Sequence, residues 1–277
     1  MRIKILGLFI CMIFVLIIGD LHAFAGDLDR FVGVKGTIRI AGGTAHIPVM
    51  KEAAKRIMKM NPHIKISIAG GGSGVGIKQV GEGLVDIGNT GRKATDDEIQ
   101  RYGLVMIKFA IDGIAIVVNP QNPVSRMSKN QVRNIFSGVV RNWKELGGEA
   151  REINVYTRDA SSGTRKVFWK KALDKGDITK AANFVKSNGA MKTAIGVDPY
   201  GIGYVSVGYV DEMIKPVIID GIEPSLENVR KGEYSVARGL YMNIKGEPTG
   251  LTKLFMEYIL SQEGQHIVEE KGFIAVK

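Results

Sequence analysis

An α/β fold with mostly parallel strands is expected from three features of the 277-residue sequence. Segments whose apolar residues alternate, the period of a strand, take turns with segments whose apolar residues recur every three or four positions, the period of a helix. Short glycine- or serine-rich stretches join a strand to a helix at three places: residues 42–45, 70–76 and 161–164. Apolar residues make up 45% of the chain, with no internal repeat and no low-complexity linker, which suits one large domain or two lobes of ordinary size.

The elements follow in order. Residues 1–25 carry Arg2 and Lys4, then an apolar run over 5–18, then Ala23-Phe24-Ala25, and read as a cleavable secretory signal peptide. The run is shorter than the roughly 20 residues a bilayer span needs. Cys11 is the single cysteine, so the exported chain cannot depend on disulfides. Residues 37–40 form a strand. A helix follows with Pro48 in its first turn, where the missing N–H costs little, and with Val49, Ala53 and Ile57 on one face. Asn61-Pro62 stops it, and Ile64, Ile66 and Ile68 alternate as a strand. After GGGSGVG comes a short helix through Ile77 and Val80, then a strand over 85–88. Thr95 with Glu98 makes a capping box for the next helix. Residues 104–110 and 114–118 read as two strands separated by Asp112-Gly113, whose carboxylate is either a turn residue, the commoner fate of Asp-Gly, or a deliberate acceptor. Ser128 with Gln131 opens another helix, and a strand over 153–156 leads through TRDASSGT into a helix carrying Val167, Phe168 and Leu173. Strands at 202–207, 217–219 and 240–244, and helices at 224–230, 251–260 and 262–270, complete the chain.

Net charge is +10, from 38 Lys+Arg against 28 Asp+Glu. The basic residues are scattered, with no long run and no aromatic-interleaved stripe, so no nucleic-acid partner is expected. The phosphate motifs tied to harder chemistry fail. After Gly76 stands Ile77-Lys78-Gln79 in place of the P-loop's Gly-Lys-Ser/Thr, and no start in 70–76 satisfies G-x-G-x-x-G. Ser162 lacks the G-x-S-x-G frame of a hydrolase nucleophile. His46, His63 and His266 are isolated and read as surface or capping imidazoles, so no metal, cofactor or catalytic residue is expected.

The three strand-to-helix turns remain. Helix N-termini present free N–H groups and the positive end of the dipole, and glycines let the backbone close on a ligand. Ordinary capping explains any one such turn. Three in one chain exceed what capping requires and point to an anion site. Arg158, four residues before Ser162, could grip two oxygens of an oxyanion, unless it merely pairs with Asp159 at the surface.

The ordered set AGGTA, GGGSGVG–IKQV, DIGNTGR, IDGIAIVVNP, RDASSGTR–VFW, GIGYVSVGYV and RGLYM resembles the substrate-binding proteins of bacterial ABC phosphate importers over nearly the whole exported chain. The resemblance implies a type II periplasmic binding fold: two α/β lobes with mostly parallel sheets, joined by two crossing strands. Lobe I would hold 34–113 and 205–277, and lobe II 114–204. It implies capture of inorganic phosphate in the inter-lobe cleft by a monomer in the periplasm, and delivery to a membrane permease; another tetrahedral oxyanion, sulfate or molybdate, is the alternative. Carried over by motif, Thr44, Ala45 and Ser73 would donate from one lobe, and Arg158, Ser162, Gly163 and Thr164 from the other. Thr90-Gly91-Arg92 departs from the Ser-Arg or Ser-Asp usual in the family, so Gly91 and Arg92 are secondary candidates. Asp112 matches the acid of the family's strand–DG–strand element. Phosphate near neutral pH keeps a proton that sulfate lacks, so an ionised Asp112 would accept from one and reject the other.

Overall fold

The structure, a computed structural model, describes residues 26–276; the expected export signal at 1–25 lies outside the described residues. In the first lobe, β1 (Gly36–Gly42) pairs in parallel with β2 (Ile64–Gly71) and β3 (Ile87–Thr90). Helix α1 (Ile47–Met60) lays Val49, Met50, Ala53 and Ile57 on the core, as the apolar spacing predicts. Helix α2 (Ser73–Gly81) begins inside the glycine-rich stretch rather than after it, and α3 (Asp96–Tyr102) starts at the Thr95–Glu98 capping box with both of its hydrogen bonds formed.

Strand β4 (Leu104–Val118) leads into the second lobe. There β5 (Arg126–Met127), α4 (Lys129–Ser137), β6 (Asn154–Thr157), α5 (Gly163–Lys171), β7 (Asn183–Phe184), α6 (Asn188–Val197), β8 (Gly201–Ser206), β9 (Lys215–Pro216), β10 (Ile218–Ile219) and α7 (Leu226–Lys231) follow. The chain returns with β11 (Ala237–Lys245), α8 (Gly250–Leu260), α9 (Gln262–Glu270) and β12 (Ile274–Ala275). The main sheet runs β2-β1-β3-β11-β4-β8-β6-β7, with β9 and β12 also on β4. Outer strands of each lobe are parallel, while β4 is antiparallel to each of its neighbours, so the sheet is mixed.

The Asp112-Gly113 step is not a turn. Residues 104–118 form one 15-residue strand, pairing with β11 up to Gly113 and with β8 from Ile114 onward. Gly113 is required by packing rather than by bending: a Cβ there would lie 2.8 Å from Val229 and 2.9 Å from Val207. β4 is thus the first crossing between two hydrophobic cores, one holding Ile38, Ile57, Phe109 and Leu240, the other Ile116, Phe136, Phe168 and Tyr204. The second crossing lies at Val236-Ala237, not near residue 205. Val217, Ile219, Val229, Tyr234 and Val236 pack in the second core, and β9 pairs with the far end of β4. Helix α6 carries little apolar periodicity, with Met191 and Ile195 as its buried apolar residues, which is why the sequence pattern does not reveal it.

Candidate anion-binding site

The strand-to-helix turns of the two lobes face each other across the cleft. After β1, Gly43-Thr44-Ala45-His46 forms a 3-10 turn running into α1, with no side-chain cap. The Thr44 hydroxyl accepts from the backbone N–H and side-chain amide of Asn188 in the other lobe, at 3.3 and 3.2 Å. At the start of α2, Gly72 takes φ +91°, a region L side chains rarely adopt, and no side chain caps the helix. The Ser73 hydroxyl accepts from Gly91 N–H at 3.0 Å. In the second lobe, Ser162 caps α5, accepting from Arg165 N–H at 3.1 Å. A hydroxyl holds one hydrogen, and in Thr44, Ser73 and Ser162 the oxygen already accepts from an N–H group. Each hydroxyl is therefore left to act as a donor.

Two guanidinium groups complete the enclosure. Arg158 is 1% exposed. Its Nη2 donates to Lys186 O at 2.9 Å, while Nε and Nη1 have no partner. Asp159 does not pair with it; that carboxylate accepts from Ser161. Burial lowers the Arg158 pKa, and the charge of Arg238 adds to the effect. Arg238, on β11, is held by Asp112, its Nε donating to Oδ2 at 2.8 Å. Arg238 Nη2 also lies 2.8 Å from Oδ2, closing a buried ion pair. Buried guanidinium donors normally find acceptors, and Nε and Nη1 of Arg158 are left without one inside the protein.

These groups surround a small cavity lined by Thr44, Ala45, Ser73, Gly91, Arg158, Ser162, Gly163 and Thr164, all expected from the sequence. Arg238 and His46 line it too. Larger clefts elsewhere, such as that bounded by Ile116, Tyr234 and Val236, contain no residue with an unpartnered buried side-chain nitrogen.

Two expected residues stand elsewhere. Asp112 is fully buried and does not line the cavity; Oδ2 takes Arg238 and Oδ1 takes the Ser206 hydroxyl at 2.6 Å. Arg92 turns away into a two-bond pair with Glu98, both contacts 2.7 Å. Gly91 makes room for Arg238: a Cβ at 91 would sit 2.5 Å from Nη1 and 2.9 Å from Cζ. The missing side chain of the third turn is thus replaced in space by a guanidinium from β11. Arg238 lies in the RGLYM stretch, but nothing in a strand pattern distinguishes it. His46, read from sequence as a surface or capping residue, is fully buried beside Phe109.

The chain matches the PBP superfamily domain over residues 33–263. It is 39% identical over 244 residues to the phosphate-binding protein PstS of Bacillus subtilis, covering 87% of this chain and 81% of the relative. This chain belongs to the PstS family. Solved structures of related proteins agree. A Clostridium perfringens chain described as a phosphate ABC transporter substrate-binding protein, crystallised with bound phosphate, superimposes with TM-score 0.82 at 35% identity, covering 87% of this chain and 100% of that one. An ABC-type phosphate transport receptor of Vibrio cholerae gives TM-score 0.69 at 32% identity, covering 86% and 99%. As in this family, the mixed α/β sheet curls through both lobes and brings the helix N-termini to one cleft.

Proposed function

We propose that this chain captures inorganic phosphate between its lobes, outside the cytoplasm, and delivers it as a monomer to the membrane permease of an ABC importer. Thr44, Ala45, Ser73, Gly91, Ser162, Gly163 and Thr164 supply hydroxyl and backbone donors, and Arg158 and Arg238 supply charge. Asp112 acts through Arg238, aiming its guanidinium, rather than touching the ligand. The observation that carries this reading is the pair of buried Arg158 nitrogens without partners in a cavity whose Thr44, Ser73 and Ser162 hydroxyls are left to donate, with the Arg238–Asp112 ion pair beside them.

Charge-assisted hydrogen bonds contribute roughly 1.5–3 kcal/mol each, so two from Arg158 and one from each of the three hydroxyls, about 7.5–15 kcal/mol together, reach the roughly 8 kcal/mol that micromolar binding needs. The lobes also touch directly. Gly74 N–H donates to Ser161 O at 3.0 Å, and Tyr209 donates to Thr44 O at 2.7 Å. An anion contacting both lobes would add to these bonds and shift the hinge equilibrium toward closure. Nothing in this donor set activates water or a nucleophile, which favours capture over catalysis. Among the described residues no helix is long and apolar enough to cross a membrane, so delivery would rest on docking to a separate permease.

A thermal-shift and calorimetric screen of phosphate, arsenate, sulfate and molybdate tests the reading. Phosphate and arsenate are expected to raise the melting temperature most. A larger shift with sulfate or molybdate than with phosphate refutes it.

A further inference from the structure

The cavity is rich in donors and poor in acceptors. The hydroxyls of Thr44, Ser73 and Ser162 are left to donate, and guanidinium groups only donate. Monohydrogen phosphate brings one O–H of its own, which needs an acceptor; sulfate brings none. Asp112, the acid expected to fill that role, has its oxygens on Arg238 and Ser206 and does not line the cavity.

Ser73 and Ser162 already accept one N–H each, whereas the His46 ring nitrogen Nδ1 offers a lone pair that nothing uses. His46 is fully buried, with Nε2 2.8 Å from Thr90 O. A carbonyl only accepts, so Nε2 carries the hydrogen and Nδ1 is bare in the neutral ring. Burial first, then the charge of Arg238, push the imidazole pKa down to about 3, against the carbonyls of Thr90 and Gly43. Nδ1 has no partner. The Nδ1–Cε1 edge lies against Gly43, where a Cβ would come within 2.6 Å of both atoms, and Gly43 lines the cavity as well.

We propose that His46 Nδ1 accepts the hydrogen bond from the protonated oxygen of bound monohydrogen phosphate, making His46 the residue that selects protonated oxyanions over sulfate. The proposal rests on the phosphate reading above. It differs from the expectation for Asp112 in both the atom and the chemistry: a neutral lone pair reads the proton without placing a negative charge beside the dianion. An acceptor left unpaired in a buried site costs roughly tenfold or more in affinity.

The test is calorimetry on the purified protein with phosphate, arsenate, sulfate and monofluorophosphate. The last is a dianion close to monohydrogen phosphate in shape but without the hydroxyl. The unaltered protein is expected to bind phosphate and arsenate at least tenfold more tightly than monofluorophosphate or sulfate. His46→Gln keeps an amide donor near Thr90 O but has no polar atom at the Nδ1 position, and should lower the phosphate-to-sulfate affinity ratio at least tenfold. His46→Asn returns an acceptor near that position and should recover most of the ratio. Equal binding of phosphate and monofluorophosphate by the unaltered protein overturns the proposal. So does an unchanged ratio in His46→Gln, or relaxation found only in Asp112→Asn. If His46→Gln does not fold, the monofluorophosphate comparison decides. Failure of the unaltered protein to bind phosphate at all is a separate result, and refutes the phosphate reading itself.

Discussion

Replacing Arg158 by Met removes the guanidinium while keeping much of the side-chain volume. Two of its nitrogens, Nε and Nη1, have no partner within the protein, so two charge-assisted bonds to the ligand are lost. At roughly 1.5–3 kcal/mol each, phosphate affinity should fall by about 10²- to 10⁴-fold. The effect on the empty protein runs the other way. The variant loses one bond, from Nη2 to Lys186 O at 2.9 Å, but also sheds two buried donors without acceptors and the repulsion from Arg238. Its ligand-free melting temperature should therefore equal or exceed that of the unaltered protein, while the upward shift on adding phosphate disappears. Calorimetry gives the affinity and scanning fluorimetry gives both melting temperatures. A dissociation constant within tenfold of the original, or a marked loss of ligand-free stability with binding intact, would show that Arg158 is a structural residue and the reasoning wrong.

Gly163→Ala places a Cβ against Ser73 Oγ across the cleft, so it should block closure and weaken phosphate binding at least tenfold while leaving ligand-free stability nearly unchanged; equally tight binding speaks against the closed geometry. Arg92→Ala should leave phosphate affinity within about threefold, because Arg92 pairs with Glu98. The same pairing, chiefly the Arg92 hydrogen bonds, lowers the Glu98 pKa below 4.5. Its stabilisation is present above pH 4.5 and is lost as pH falls through the lowered value, so acid denaturation of Glu98→Gln should show less pH dependence there. His46 gives a second window. Its pKa falls from 6.5 unfolded to about 3 folded, so its contribution is full above pH 6.5 and drains away toward pH 3. The urea midpoint of the ligand-free protein should drop more between pH 7 and pH 5 than that of His46→Gln, and parallel declines would show that His46 titrates normally.

Features carried by local pattern were legible in the sequence. The Thr95–Glu98 and Ser128–Gln131 capping boxes, the α1 face and the helix start near Gly163 rest on short-range chemistry that a reader of residues can follow. Where tertiary contacts decide, pattern gives no access. Asp-Gly usually bends a chain, but in β4 the neighbours β8 and β11 keep the backbone extended and bury the carboxylate on Arg238. Eight of the ten candidate site residues meet in one cavity because each sits at a strand-to-helix turn or just beyond a strand end. Arg238 escaped because it comes from inside a strand and enters the site through a space that exists only because residue 91 lacks a side chain. His46 escaped because a lone imidazole near a helix start gives no sign of which way it faces.

The position of β11 governs when this molecule becomes whole. A strand near the carboxyl end slots between β3 and β4, both finished more than a hundred residues earlier, so the first lobe has a gap in its middle until nearly all of the polypeptide is available. That late strand also brings Arg238. A chain emerging amino end first would leave its anion site one cation short until the final stretch arrives, so maturation and the power to hold cargo come together in a single event.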